Sequence, residues 1–218
     1  AEIHPWKTIT PGILIFTIGL FGLWEIAIET LAIVIISVIL SLIVGVPSGI
    51  AMAVSDRVET VFTPVLDAMQ TMPSFVYLIP AMMFFELGKV PAVVATFIYA
   101  VPPVQRLTNL GIRQVSTSIQ EAAVAFGATS WQLMREVRIP LALPSILAGI
   151  NQTTMMALSM VVICSMVGAG GLGEEVIIAL NRIDVGRGFE AGWAIVVLAI
   201  IIDRLSQGVA QKWHIKSN

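Results

Sequence analysis

Long apolar runs separated by short polar connections dominate the pattern of this chain. Five such blocks follow residue 24, at 27–54, 61–85, 90–110, 141–167 and 191–205. A membrane-spanning helix needs about 20 mainly apolar residues, and four of these blocks reach that length. The sequence lacks the ten-residue stretches of alternating apolar and polar residues that are typical of membrane barrels. The pattern therefore predicts an all-α membrane protein, a polytopic bundle with five core transmembrane helices.

Two apolar stretches depart from this simple pattern. The block at 61–85 contains Pro64, Pro73 and Pro80, which predict a kinked or interrupted span because proline removes a backbone donor. The run from Ile13 to Trp24 is shorter than a complete span. We therefore expect residues 1–24 to be a partial N-terminal membrane segment.

Composition supports the membrane class and excludes several functions. Hydrophobic residues make up 57% of the chain and charged residues 12%, and the mean hydropathy is +0.92. With a net charge of -2 and no basic stripe, the sequence predicts no nucleic-acid partner. The single Cys164 excludes a disulfide framework and a cysteine metal site. The glycine-rich stretch 168–175 lacks the Lys-Ser/Thr of a phosphate-binding loop, so we expect no nucleotide or metal on this chain.

One polar segment, residues 116–140, interrupts the apolar pattern. Ser118 with Glu121 and Thr129 with Gln132 fit the capping-box spacing, which predicts two short helices. Gly127 is placed to end the first helix and Pro140 to limit the second. Helices this short cannot bury a core of their own, so they pack on the membrane helices, on a partner or on both. Capping patterns alone fit an amphipathic loop on the membrane surface equally well.

Lysines and arginines indicate on which side this polar segment lies. If the five core helices alternate and the polar segment faces the cytoplasm, eight basic residues are inside: Arg57, Arg106, Arg113, Arg135, Arg138, Arg204, Lys212 and Lys216. Only Lys89, Arg182 and Arg187 are then outside. The positive-inside rule favours this orientation, which makes the polar segment cytoplasmic.

Within the polar segment, "EAAVAFGATSWQLMREVRIP" at 121–140 resembles the EAA loop of binding-protein-dependent ABC importer permeases. The matching positions, at the family's spacing, are Glu121, Ala122, Ala123, Gly127 and Pro140. Val137 and Ile139 stand where the family has Ile and Leu. The resemblance implies a type I ABC importer permease fold in the bacterial cytoplasmic (inner) membrane.

The resemblance also implies partners and roles. Glu121, Ala122, Ala123 and Gly127 would dock on a cytoplasmic ABC ATPase, and Pro140 would return the chain to the membrane. The ATPase dimer would hold ATP and Mg, so this chain would be a transport subunit and not an enzyme. The other implied partners are an extracytoplasmic substrate-binding protein, membrane lipid and a second permease copy in a homodimer.

Further stretches, at 66–80, 99–115, 143–173 and 194–209, look like permeases of glycine betaine/proline betaine importers. The resemblance implies uptake of compatible solutes for osmoprotection. The alternatives are an importer of choline, carnitine or an amino acid and, from a different class, a secondary transporter. On this interpretation residues 25–210 are the transmembrane domain and residues 211–218 a cytoplasmic tail.

Polar residues inside the apolar blocks are candidates for the translocation path: Asp67, Gln70, Thr71, Asn151, Gln152 and Ser159. A carboxylate near the bilayer centre costs roughly 2.5 to 3.5 kcal/mol on insertion scales, so Asp67 must face protein, water or the cytoplasmic interface. Such groups also join helices through hydrogen bonds, and this alternative stays open for all six. Asn151 and Gln152 are the first choice for the translocation interface.

Overall fold

The computed structural model describes the backbone of residues 6–214 and their side chains except at 6–11, 13, 206–207 and 209–214. Within residues 6–214 the chain forms helices and no strand, which confirms the predicted all-α class. The α-helices are α1 (Trp6–Leu20), α2 (Trp24–Val54), α3 (Asp56–Thr71), α4 (Phe75–Phe85), α5 (Lys89–Arg113), α6 (Thr117–Ala125), α7 (Ser130–Gln132), α8 (Ile139–Cys164), α9 (Leu172–Arg182) and α10 (Val185–His214). A π-helical segment, Leu133–Arg138, precedes α8. After α8 the helical geometry breaks at Val167 (φ -119°, ψ 28°) and Gly168 (φ 98°, ψ 17°). Residues 1–5 of the predicted N-terminal segment and 215–218 of the predicted tail lie outside the described residues.

Four helices are long and apolar enough to cross a membrane: 24–54, 89–113, 130–169 and 185–205. The pair α3 and α4 passes the same test as one bent span, which brings the number to the five predicted core helices. α1 has 15 residues, fewer than the about 20 that a span requires. How the chain divides into domains along its length stays a prediction.

The predicted interruption within 61–85 is confirmed as a bend of 96° between α3 and α4. The break falls at Pro73, which cannot donate a backbone hydrogen bond to the preceding turn. Met72 takes φ -70° and ψ 134°, the extended conformation that a following proline imposes. Pro64 and Pro80 lie inside α3 and α4 without ending them.

α5 continues further than the apolar pattern suggested. Pro102 and Pro103 lie inside it, and the helix ends only at Arg113. Arg106 therefore lies within α5 and not in a connection after it, because the two prolines do not stop the helix. Its predicted position on the cytoplasmic side stays a prediction. Neighbouring helices and side chains can supply partners for the backbone groups that a proline frees.

The helices are divided between two compact units. Unit 1 comprises the described residues up to Ile39, then Pro73–Tyr99 and Thr154–Leu205. One core cluster of this unit contains Ile18, Leu23, Ala27, Leu172, Ala194, Val197 and Leu198. Polar contacts inside this unit link helices: Thr30 Oγ1 accepts the Leu172 N–H at 2.9 Å, and the Trp193 indole N–H donates to Thr17 Oγ1 at 3.0 Å.

Unit 2 comprises Leu40–Met72, Ala100–Thr153 and the described residues from 206 onward. Its parts of α2, α5 and α8 pack closely at glycines. A Cβ added at Gly49 would lie 2.8 Å from the Gln105 carbonyl oxygen, and one at Gly111 would lie 2.6 Å from Ser145 Cβ. Gly45 and Gly49 form the small-xxx-small pattern that lets membrane helices approach each other closely, a signal in the sequence that was not used above.

Candidate functional site

The predicted docking residues form one short surface helix and the turn that ends it. No residue of α6 is buried. Glu121 and Ala122 are exposed, whereas Ala123 is half-buried together with Gln120, three residues earlier. Residues three apart share a face of a helix. α6 therefore presents Glu121 and Ala122 outward and turns Ala123 toward the rest of unit 2.

Gly127 ends α6, as predicted, through a Schellman motif. The Gly127 N–H donates to the Val124 carbonyl at 2.9 Å, and the Ala128 N–H donates to the Ala123 carbonyl at 3.0 Å. Gly127 has φ +86°, a left-handed conformation that costs other residues energy. A Cβ at this glycine would meet nothing within 4 Å, so the backbone angle, and not space, requires glycine here.

The second helix begins with the predicted capping box. The Thr129 N–H donates to Gln132 Oε1 at 2.9 Å, and the Gln132 N–H donates to Thr129 Oγ1 at 3.4 Å. Two of the backbone donors that a helix start leaves unpaired are thereby satisfied. Backbone and cap hydrogen bonds thus define the backbone of the connection between α6 and α7.

The capping box predicted at Ser118 and Glu121 is wrong. α6 starts at Thr117, with Ser116 at the N-cap and no side-chain hydrogen bond to the helix start. Ser118 lies inside the first turn, where its hydroxyl is 2.7 Å from the Ser116 hydroxyl. Ser116, Thr117 and Ser118 all offer hydroxyls, and the earlier start shifts Glu121 out of the capping position.

The apolar residues of the polar segment fall into two groups. Phe126 and Trp131 are 94% and 70% exposed, one on each side of the Gly127 turn. Met134 is buried, and Leu133 and Val137 are half-buried. Large exposed aromatic side chains are typical of protein interfaces, where they carry much of the binding energy. We call residues 124–131 the tip of the polar segment.

Opposite the tip, a hydrogen-bonded clamp closes the polar segment at its base. Gln120 Nε2 donates to the Val115 carbonyl at 2.7 Å, and Gln120 Oε1 accepts from Arg138 Nε at 2.8 Å. Arg138 also donates to the same oxygen through Nη2. The clamp joins α6 to the π-helical segment, and charge-assisted bonds of this kind are stronger than neutral ones.

Apolar packing reinforces this base. Met134 is 8% exposed and belongs to a core cluster with Ile112, Ala142 and Ile146. These residues come from α5 and α8, so the π-helical segment is packed on two of the long helices within unit 2. We call Val115, Gln120, Met134 and Arg138 the root of the polar segment.

The sequence suggested that Pro140 limits the second helix, and this prediction is wrong. α7, the π-helical segment and α8 form one helical stretch from Ser130 to Cys164, and Pro140 lies inside it. The Ile139 N–H bonds to the Met134 carbonyl, five residues back, as π-helical geometry requires. A proline ring clashes with the carbonyl four residues earlier in a regular α-helix, and the wider π-turn relieves that conflict.

Three of the predicted path residues lie on α3. Asp67 forms an ion pair with Arg106 of α5, and its side chain is 58% exposed. Gln70 and Thr71 are exposed, and the Thr71 hydroxyl donates to the Ala68 carbonyl at 3.0 Å. The ion pair fits the interhelical alternative for Asp67, while the path role of all three residues stays a prediction.

The other three path residues lie on α8. Asn151 is half-buried and Gln152 is exposed, and both belong to unit 2. Ser159 is exposed, donates to the Met155 carbonyl at 3.0 Å and belongs to unit 1. Unit 2 therefore contains five of the six predicted residues, and their path role is again a prediction.

A further polar cluster in unit 2 was not identified from the sequence. Arg113, at the end of α5, pairs with Asp56 and Glu59 in the first turn of α3. Asp56 and Glu59 are three residues apart, which places both carboxylates on one face of a helix. That spacing was a usable signal, but nothing local in the sequence relates it to Arg113.

Comparison with known families gives a direct match to this architecture. The sequence profile of the family described as "Binding-protein-dependent transport system inner membrane component" matches residues 41–214. The matched range includes the whole polar segment and most of the candidate spans.

Three bacterial relatives align with nearly the whole chain. The glycine betaine/carnitine transport permease protein GbuB of Listeria monocytogenes is 54% identical over 92% of this chain and 73% of its own length. The glycine betaine transport system permease protein OpuAB of Bacillus subtilis is 50% identical over 98% of this chain and 78% of its own length. The glycine betaine/proline betaine transport system permease protein ProW of Escherichia coli is 48% identical over 94% of this chain and 58% of its own length.

Solved structures share the fold at low identity. A chain of the MetNI methionine ABC transporter superposes with a TM-score of 0.78 at 22% identity, covering 89% of this chain and 97% of that one. A chain of an amino acid ABC transporter superposes with a TM-score of 0.64 at 20% identity, covering 99% of this chain and 100% of that one. The helices therefore adopt the fold of type I importer permeases, as predicted.

Proposed function

The chain belongs to the family of binding-protein-dependent transport system inner membrane components, and we propose that it moves glycine betaine and related compatible solutes through an ATP-driven importer. The chain is a transport permease subunit and not an enzyme. Three relatives at 54%, 50% and 48% identity have glycine betaine in their names, which supports this solute class.

The exposed tip of the polar segment is the observation that carries the ATP-driven part of this proposal. Phe126 and Trp131 are largely exposed, as are Glu121 and Ala122 earlier in the same segment, yet hydrogen bonds already define the backbone that bears the two aromatic residues. A preorganised surface loses little entropy when it binds. We propose that this tip docks on a cytoplasmic ATPase, with Ala123 and Gly127 shaping the docking helix and its end.

The root supports a lever-like transmission from the docked tip. Trp131 and Pro140 lie in one helical stretch, so a displacement of α7 is passed on through a hydrogen-bonded backbone. Packing at Met134 and the Gln120–Arg138 clamp tie the same stretch to α5 and α6. In the proposed cycle, closure of the ATPases moves the tip and the helices alternate between inward-open and outward-open arrangements.

Polar side chains on candidate spans support a path shared with a second copy of this chain. Gln152 is exposed on α8, and exposure of such a group to lipid is unfavourable. We propose that Asn151 and Gln152 face the second permease in a homodimer, where the solute passes. Asp67, Gln70, Thr71 and Ser159 are further candidates for lining that path.

Family membership implies a substrate-binding protein and an ATPase as partners. The finer assembly we propose has two permeases, two ATPases that hold ATP and Mg, and an external binding protein. The bacterial relatives and the basic residues around the polar segment support a location in the bacterial cytoplasmic membrane.

Uptake by the reconstituted complex tests this function. The permease, its ATPase and its binding protein are placed in proteoliposomes with ATP inside, and entry of labelled glycine betaine is measured. We expect uptake that requires ATP and the binding protein and that persists when ionophores collapse the ion gradients. Uptake that continues without the ATPase and stops with the gradient would instead establish a secondary transporter.

Competition between labelled and unlabelled solutes in the same assay identifies the preferred substrate. Two further relatives, at 37% and 34% identity, carry choline in their names, which keeps choline as the second candidate. Excess unlabelled glycine betaine or proline betaine should suppress uptake more strongly than choline, carnitine or an amino acid. Stronger suppression by choline would reassign the substrate without changing the mechanism.

A further inference from the structure

A single guanidinium joins three helix ends in unit 2. Arg113, the last residue of α5, donates through Nη2 to the Met52 carbonyl in the last turn of α2 at 2.8 Å. Its Nη1 lies 2.8 Å from Asp56 Oδ1, and its Nη2 lies 2.9 Å from Glu59 Oε2, both in the first turn of α3. One turn earlier in α5, Asn109 accepts from Arg113 Nε at 3.0 Å and donates to Glu59 Oε1 at 2.8 Å.

We infer that Arg113 is a positioning residue for coupled transport, which holds the α2–α3 turn to the origin of the polar segment. Only residues 114–116 separate Arg113 from the start of α6. A movement that the ATPase imposes on the polar segment therefore reaches α5 beside Arg113. The bonds of the guanidinium to the first turn of α3 then transmit the displacement to α3. This role rests on the proposed ATP-driven function.

The two acidic partners of Arg113 contribute unequally. The Asp56 side chain is 88% exposed, so water and salt screen its attraction to Arg113. The Glu59 side chain is 33% exposed, and each of its carboxylate oxygens has a partner, Arg113 or Asn109. Hydrogen bonds to both oxygens of a partly buried carboxylate define one geometry, so Glu59, and not Asp56, is the acidic partner that holds α3 to Arg113.

Arginine suits this position better than lysine. The fork of the guanidinium reaches Met52, Glu59 and Asn109 in three directions at once. A lysine ammonium is a compact point charge that keeps attraction to Glu59 but cannot span the same set. Arg113→Lys should therefore retain part of the coupling between ATP hydrolysis and uptake that Arg113→Ala loses.

The test measures coupling in the complex of permease, ATPase and binding protein. In Arg113→Ala, we expect the ATP hydrolysed per solute imported to rise about tenfold. Binding of the ATPase should stay at the wild-type level, because the docking tip is untouched. Amide hydrogen exchange at residues 59–62, the first backbone donors of α3 with hydrogen-bond partners, should rise severalfold. In both measurements Arg113→Lys should lie between wild type and Arg113→Ala.

Two matched substitutions in one helical turn sharpen the test. Glu59→Gln should raise the ATP hydrolysed per solute imported as Arg113→Ala does. Asp56→Asn should leave this ratio within about twofold of the wild-type value, since exposed ion pairs contribute little. Arg57→Ala, at an exposed arginine between them, controls for loss of charge in this turn.

A purely structural role predicts a different result. If uptake and hydrolysis fall together, in proportion to the assembled complex, the ratio of ATP to solute stays constant and Arg113 does not position α3 for coupling. Equal effects of Asp56→Asn and Glu59→Gln would also overturn the assignment. If wild type shows no ATP-dependent uptake of any solute, the proposed function has failed. Unchanged exchange at residues 59–62 in Arg113→Ala refutes the inference that Arg113 holds the start of α3.

Discussion

The tip and the root of the polar segment are ordered by different interactions. At the tip, main-chain and capping hydrogen bonds around Gly127 and Thr129 define the shape, and Phe126 and Trp131 extend into solvent. At the root, side chains make the contacts, with Met134 buried in an apolar cluster and Gln120 bound to Arg138. A tip ordered by its own backbone leaves its side chains free for a partner, and a root ordered by side chains is bound to the membrane helices.

This difference predicts that substitutions at the two regions change different quantities. Root substitutions should lower the stability of the permease itself, because they remove buried contacts. Substitutions of the exposed tip side chains Phe126 and Trp131 should leave that stability nearly unchanged and lower the affinity for the ATPase or the coupling to it. A variant that changes both quantities equally would erase the distinction.

The largest effect is expected for Met134→Ala at the root. Removing a buried methionine from the cluster with Ile112, Ala142 and Ile146 should lower the free energy of unfolding by about 2 to 4 kcal/mol. Thermal unfolding of the detergent-solubilised permease measures it. Trp131→Ala is the control, because an exposed side chain should change stability by less than about 0.5 kcal/mol. Equal destabilisation by both variants would contradict the division between root and tip.

Trp131→Ala and Phe126→Ala should have the next largest effect, this time on binding. Each removes an exposed aromatic anchor, and the Kd for the ATPase should rise about 30-fold, or roughly 2 kcal/mol. Titration of labelled ATPase onto the permease in nanodiscs gives this constant. Val61→Ala, at a residue of α3 that is 66% exposed, is the matched control and should leave the Kd unchanged. Wild-type affinity in both tip variants would show that the ATPase docks on another surface of the permease.

Gly127→Val tests the backbone of the tip. The left-handed φ of +86° disfavours a β-branched residue by about 1 to 2 kcal/mol, although a Cβ would have space. We expect membrane insertion to remain intact while the solute imported per ATP falls. Asn tolerates this conformation, so Gly127→Asn should keep most of the coupling. Normal uptake in Gly127→Val would count strongly against transmission through the tip.

The tip was more predictable from the sequence than the root because its interactions are local. Gly127 and the spacing of Thr129 and Gln132 report hydrogen bonds within a few residues. The root joins Gln120 to Arg138, 18 residues away, and no pattern within one helix reveals such a contact. The prediction that the second helix ends at Pro140 was wrong for a related reason. A π-turn accommodates this proline, and the hydrogen bonds of the π-turn depend on the surrounding packing.

The fold shows the same contrast between local and distant information. The five apolar blocks and an interruption within 61–85 followed from composition and proline chemistry, and both are present in the structure. Which of the three prolines breaks the helix did not follow from them. The ion pair of Asp67 with Arg106 and the close approach at Gly49 depend on which helices are neighbours. Helix neighbours come from tertiary packing, so the apolar pattern alone does not specify them.

Thr129→Ala and Ser118→Ala give the smallest effects and separate a cap that forms from one that only the spacing suggested. Thr129 accepts the Gln132 N–H, so its loss should cost about 1 kcal/mol at the start of α7, while Ser118→Ala should cost nearly nothing. Amide hydrogen exchange at residues 130–133 and 117–120 measures the two helix starts separately. Thr129→Ser should retain protection. Protection lost at 117–120 in Ser118→Ala would mean that α6 begins with the side-chain cap that the sequence predicted.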